Sequence, residues 1–173
     1  MIRERKALNM VEMNYSIYKQ RSPFSLSGGE MRRVAIASTL AIDPEVIILD
    51  EPTASLDPQS RNSILTLIRE LHCRYHKTII LVSHNMEVVA ELAQRILVME
   101  KGRIIMDGTP RKIFQDFAEK IESIGLALPQ VTYIIYKLKQ MGKPLNMGIL
   151  TIEEAKDEIL KVVKKKGGYD EIF

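Results

Sequence analysis

Ser25 to Asp57 reads SLSGGEMRRVAIASTLAIDPEVIILDEPTASLD, and this stretch decides the fold. It holds three pieces in a fixed order. Leu26-Ser27-Gly28-Gly29-Glu30 is a small polar turn that opens into a helical run from Met31 to Ala41. Two adjacent glycines let a backbone come close to a ligand. A helix N-terminus offers unpaired N–H groups and the positive end of its dipole to an anion. Val46-Ile47-Ile48-Leu49 is a continuous apolar run, read as a parallel strand buried on both faces. It ends in Asp50-Glu51. Carboxylates just past the C-terminal end of such a strand stand where α/β folds bind ligands. One can hold Mg²⁺, and the next can orient or deprotonate a water. Ser55-Leu56-Asp57 is a turn directly after the pair. Each piece alone has a plainer meaning: a loop-to-helix junction, a solvated strand end, a helix cap.

Working outward, composition narrows the classes. The chain has 173 residues, enough for one domain of ordinary size, and 46% of them are hydrophobic, which suits a packed core. A net charge of +3, from 25 basic and 22 acidic groups, is too mild for a nucleic-acid-binding surface. The single cysteine, Cys73, excludes an internal disulfide and fits a reducing compartment. It falls in a helical pattern and reads as a small buried residue. No apolar run reaches the length of a membrane span, and MIRERKALNM has no signal-peptide core. The chain is therefore expected to be cytoplasmic, peripheral to a membrane only through partners.

The rest of the chain falls into alternating elements. Met1 to about Met13 reads as helix, and Tyr15 to Ser25 as a connector broken by Pro23. Tyr15 and Tyr18 are read as packing residues rather than a base-stacking platform. Arg32 and Arg33 are placed on a solvated face. Asp57-Pro58 is an N-cap with proline at the first helical position, and the helix runs to about Tyr75. Its buried stripe is Ile64, Leu65, Leu67, Ile68 and Leu71. Thr78 to Val82 is a second buried strand, ending in Ser83-His84. A helix from Met86 follows, then a hairpin, 95–99 and 103–106, turned at Lys101-Gly102. Thr109-Pro110 starts a short helix. Beyond it, helices are expected over 129–140, stopped near Gly142, and from the capping box at Thr151 to Lys165. The Lys164-Lys165-Lys166 run reads as a solvated helix end.

LSGGE, then LDEP, then SLD, then Ser83-His84 after a second apolar strand, together resemble the ATP-binding cassette (ABC) ATPases over Arg21 to about Phe114. The resemblance implies an α/β fold: a partial P-loop NTPase core with a mostly parallel sheet, plus a C-terminal helical extension. Residues 1–114 would be the C-terminal part of the nucleotide-binding domain. Within it, 1–41 would end the helical subdomain and 42–114 form the core. Residues 115–173 would be the extension. In this family two subunits sandwich ATP, each closing its signature on the other's nucleotide. Ser27, Gly28, Gly29 and Glu30 would thus face the γ-phosphate of ATP held by a partner. Asp50 would hold Mg²⁺, Glu51 would be the catalytic base or water-orienting group, and His84 would bond the γ-phosphate. Ser55 and Asp57 would link the two sites. SPFSLSGGEMRRVAIA, with the C-terminal helices, resembles the energy-coupling-factor importers of vitamins or metal ions. The implied partners are a second ATPase subunit, as homo- or heterodimer, and transmembrane transporter subunits. Nucleic acid is not among them.

One departure stands out. None of the nine glycines precedes Lys-Ser or Lys-Thr in the spacing of the phosphate-binding loop GxxxxGK followed by Ser or Thr. The chain therefore resembles a subunit truncated at its N-terminus. The isolated chain is expected to be inactive as an ATPase, with unpaired strand edges where the loop-bearing strand would lie. Two other readings remain: a non-transport ABC ATPase of DNA repair or translation, and a non-enzymatic partner that donates its signature in trans.

Overall fold

The computed structural model describes residues 2–165, and the chain forms two compact units, 1–83 and 84–173. In the first, α1 (Ile2–Met10), α2 (Tyr15–Tyr18) and a single 3₁₀ turn (Pro23–Ser25) precede α3 (Gly28–Leu40). Then come β1 (Val46–Asp50), α4 (Pro58–Cys73) and β2 (Thr78–Val82). β1 and β2 pair in parallel, Val46 beside Thr78 through Asp50 beside Val82. A crossover through one helix is how neighbouring parallel strands are joined, and α4 lies against β2.

α4 follows its sequence signals closely. Asp57 caps it by accepting from the Ser60 N–H at 2.9 Å, Pro58 fills its first position, and the expected stripe of five apolar residues is buried. Cys73 is exposed, contrary to expectation, because it lies off that stripe in the last turn. Arg33 also departs from its expected solvated face. Its guanidinium donates to the Val11 carbonyl, to Glu12 and to the Ser63 hydroxyl, tying α3 to the turn after α1 and to α4.

The strand pair departs too. Ile47 and Leu49 are buried, but Val46, Ile48, Ile80 and Val82 are exposed, Ile48 at 66%. β1 is thus covered on one face only, because successive side chains point to opposite faces and only one face carries a packed layer among the described residues. Among the described residues the expected parallel sheet is confined to these two strands.

The second unit contains α5 (Met86–Leu92), β3 (Ile96–Glu100), β4 (Arg103–Gly108), α6 (Pro110–Asp116), α7 (Ala118–Ser123), α8 (Gln130–Gln140) and α9 (Ile152–Lys165). β3 and β4 form an antiparallel hairpin with an irregularity between Val98 and Met99. Lys101 (φ 49°) and Gly102 (φ 76°) take the paired left-handed conformations that a two-residue hairpin turn requires. Among the described residues β2 pairs only with β1 and β3 only with β4. One core joins Val89, Ile96, Val98 and Met106 to Ile113, Phe114, Ile121, Ile135 and Ile149. The compact units therefore divide after Ser83, whereas the sequence suggests a boundary after Phe114. Ile113 and Phe114 are each 1% exposed and share their core with the helices that follow. Arg111 reinforces this by donating to the Gly148 carbonyl and, at 2.6 Å, to Glu154. Thr151 and Glu154 form the expected capping box of α9. The Lys164–Lys166 side chains lie outside the described residues.

Candidate functional site

The signature turn is built by a helix start. Ser27 is the N-cap of α3; its hydroxyl accepts from the Glu30 N–H at 3.3 Å, and Glu30 Oε2 accepts from the Ser27 N–H at 2.8 Å. This reciprocal box satisfies two donors that a helix start leaves unpaired. Both glycines lie inside the first turn, so the helix starts three residues earlier than the sequence suggested. Gly29 is there for space. A Cβ on it would stand 2.9 Å from the Ser60 hydroxyl and 3.2 Å from Ser60 Cβ, and one on Gly28 would touch Leu56. The first turns of α3 and α4 therefore meet, bringing the signature turn beside the Ser55-Leu56-Asp57 turn.

Glu30 is held from a second direction. Its Oε1 accepts from the Tyr18 hydroxyl at 2.6 Å and from Arg21 at 3.2 Å. Arg21 lies over the Tyr18 ring, 5.5 Å from its centre. The Tyr18 bond first, and then the Ser27 N–H, bring the carboxyl of Glu30 down to about 2; the same bond raises the Tyr18 hydroxyl above its ordinary value. Reading Tyr18 as a packing residue missed this role. Arg21 was missed as well. Their separation from Glu30, 12 and 9 residues, passes through the 3₁₀ turn, so no helical periodicity announces it.

The carboxylate pair stands at the end of β1. Asp50 is exposed and is the last residue of the strand, opposite Val82. Glu51 extends the ladder by donating its N–H to the Val82 carbonyl at 2.9 Å, then turns sharply with φ 43°. Left-handed backbone at a non-glycine residue costs roughly 1–3 kcal/mol and persists only where surroundings enforce it. Here the ladder bond, the Ala54 N–H donating to the Glu51 carbonyl, and the Ser83 hydroxyl donating to Glu51 Oε2 at 3.1 Å do so. Ser83 is thus a site residue that sequence reasoning passed over in favour of His84. The signal was there: Ser83 follows β2 as Glu51 follows β1, and Asp50 and Val82 are in register.

Ser55 is exposed with φ 61°. Asp57 is occupied as the α4 cap, and its bonds to Ser60 hold its carboxyl below the ordinary range. These residues, with Ser27 to Glu30, all belong to the first unit. His84 belongs to the second, exposed, directly before Asn85, whose side chain caps α5. Among the described residues no cluster of three or more His, Cys, Asp or Glu side chains could hold a metal alone. The Asp50-Glu51 end suits an ion such as Mg²⁺, which keeps waters and phosphate oxygens as most of its ligands.

Known proteins resemble this chain. The model of the ABC transporter family matches residues 2–54. The energy-coupling factor transporter ATP-binding protein EcfA2 of Clostridium tetani is 53% identical over 164 residues, 95% of this chain and 57% of that protein. EcfA1 of Clostridium perfringens is 46% identical over 158 residues, 88% of this chain and 54% of that protein. The solved structure of cbiO1 from Clostridium perfringens, part of the ABC transporter complex cbiONQ, superposes with a TM-score of 0.60 at 33% identity. It covers 82% of this chain and 51% of that one. The chain spans just over half the length of the curated relatives it matches. On the signature turn, the strand-end carboxylates and these matches, the chain is similar to the ATP-binding proteins of the ABC transporter family.

Proposed function

We propose that this chain carries the signature turn, the metal-binding and catalytic carboxylates and the histidine of an ATPase subunit that powers an importer of the energy-coupling-factor type. The observation that carries the reading is Glu51: a carboxylate at the C-terminal end of a parallel strand, in a left-handed conformation, held by Ser83. The names of the relatives, ATP-binding proteins of energy-coupling factor transporters, support the importer over DNA repair or translation.

Asp50 would hold Mg²⁺, which would supply charge neutralisation at the phosphates. Glu51 orients the attacking water and accepts its proton; the Ser83 hydroxyl fixes which oxygen is available. His84 donates to the γ-phosphate. Ser27, Gly28 and Gly29 offer hydroxyl and backbone N–H donors to a γ-phosphate held by a second subunit. Ser55, exposed beside them, links the two sites, while Asp57 holds the α4 start in place. This is catalysis by positioning and charge stabilisation. The partners are a second ATP-binding subunit and transmembrane subunits. Among the described residues no helix is long and apolar enough to cross a membrane.

The test is a chimera in which this chain replaces the matching half of the Clostridium tetani relative. We expect ATP hydrolysis that Glu51→Gln lowers at least about 100-fold, the scale of removing a group that acts only in the transition state. Equal rates for the two chimeras would overturn the assignment. The isolated chain, which lacks GxxxxGK followed by Ser or Thr, is expected to hydrolyse no ATP.

A further inference from the structure

The signature turn contains an electrostatic conflict. An α-helix N-terminus presents the equivalent of about half a positive charge. Glu30 places a full negative charge in that same first turn, at the third helical position, with its carboxylate bonded to the Ser27 N–H. Left uncompensated, that charge would outweigh the dipole, and the turn would repel a phosphate. Two residues from outside α3 meet it. The Tyr18 hydroxyl donates to Oε1 at 2.6 Å, and the Arg21 guanidinium donates to the same oxygen at 3.2 Å. Arg21 also reaches the Ser25 carbonyl at 3.5 Å and stacks over the Tyr18 ring. The three side chains form one unit on the α2 side of the turn.

We infer that Tyr18 and Arg21 are positioning residues for the phosphate seat of the signature turn: Tyr18 fixes the Glu30 carboxylate in the capping box, and Arg21 cancels its charge. The inference rests on the proposed role of the turn as a γ-phosphate seat. With Arg21 in place the carboxylate and guanidinium sum to zero, and the dipole of α3 again sets the sign of the field. Arg21 does not touch the phosphate; it acts through Glu30.

Inorganic phosphate, titrated into the full 173-residue chain and read by the amide resonances of Gly28 and Gly29, tests this. Arg21→Gln keeps a donor but drops the charge, and should weaken phosphate about threefold, the scale of an exposed charge pair. Arg21→Lys, which keeps the charge, should restore most of the affinity. Glu30→Gln should tighten binding, and adding Arg21→Gln to it should return the affinity to about that of the wild type, since the pair again sums to zero. Tyr18→Phe should cost less than Arg21→Gln, since the charges stay paired. A purely structural brace predicts the reverse order: Arg21→Gln tolerated and Tyr18→Phe costly. That result, or a Glu30→Gln variant that binds phosphate no more tightly than the wild type, overturns the inference while leaving the seat intact. If phosphate moves Gly28 and Gly29 in neither the wild type nor Glu30→Gln, the seat itself is wrong and the inference falls with it.

Discussion

The strand pair β1–β2 and the core of the second unit use the same apolar alphabet to opposite effect. Ile113, Phe114, Ile121 and Ile135 all find cover in one core, and each of the four is at most 1% exposed. On β1 the alternation runs exposed, buried, exposed, and on β2 exposed, half-buried, exposed, with Val46, Ile48, Ile80 and Val82 left open. An apolar run states what a strand needs; it does not state which segment supplies the cover. The helices after Phe114 close the second core from within the described chain. The described residues supply one layer only to the β1–β2 pair. A contiguous open apolar face of this kind is a docking or aggregation surface.

The largest effects should therefore come from the closed core. Phe114→Ala removes a side chain packed on all sides and should destabilise the second unit by about 3–5 kcal/mol. Urea unfolding monitored in that unit reads it directly. A cost below about 1 kcal/mol would mean that the core is not closed as described.

Within the strand pair, neighbours should behave differently. Ile47→Ala, on the covered face, should cost about 2–4 kcal/mol, and Ile48→Ala, one residue on, should fall within about 0.5 kcal/mol. The same denaturation series measures both. Equal costs would show that the open face is covered in solution, by a second copy or another segment. In the chimera with the relative, Ile48→Ala should become costly if the added half supplies the missing layer.

What the sequence made legible follows the same division. Local signals read correctly: the Asp57 cap with Pro58, the Lys101-Gly102 turn and the Thr151–Glu154 box each depend on residues within a few positions. The Ser27–Glu30 box is equally local, but the sequence was read there only as a turn before a helix. Apolar runs gave β1 and β2 but misjudged their cover, because a run of Val and Ile reads the same whether one face or both are packed. Longer-range side-chain bonds stayed hidden. Tyr18 and Arg21 onto Glu30, Arg33 onto Ser63, and Ser83 onto Glu51 join residues 9 to 32 apart. Nothing in the local pattern distinguishes such residues from packing or solvated ones. The division after Ser83 was hidden for a related reason: Phe114 ends a family-like stretch in sequence but sits in the middle of a core.

Smaller effects probe the meeting of the two helix starts. Gly29→Ala would press a methyl group against Ser60 and should cost about 1–2 kcal/mol, the usual range for overpacking. Adding Ser60→Gly should return most of it, since the clash is with that one side chain. A cycle showing no coupling would mean that the first turns of α3 and α4 stand further apart than described.

The smallest effect is the most specific, because it isolates one carboxyl. Glu30 has its folded-state value drawn down to about 2, chiefly by the Tyr18 hydroxyl, against about 4.3 in an unfolded chain. A depressed carboxyl stabilises the fold above the unfolded value, and that contribution disappears as pH falls through the folded one. The melting temperature of wild type relative to Glu30→Gln should therefore be level from about pH 7 to 5. It should then decline from about pH 4.5 toward pH 2. Other carboxyls titrate in the same range, but they do so in both proteins and drop out of the difference. Tyr18→Phe removes the leading cause, so it should raise the acid limb of the Glu30 titration and shorten the decline from its low-pH end. A difference curve unchanged by Tyr18→Phe would assign the depression to the capping box alone, and would leave the signature turn as local as its sequence made it look.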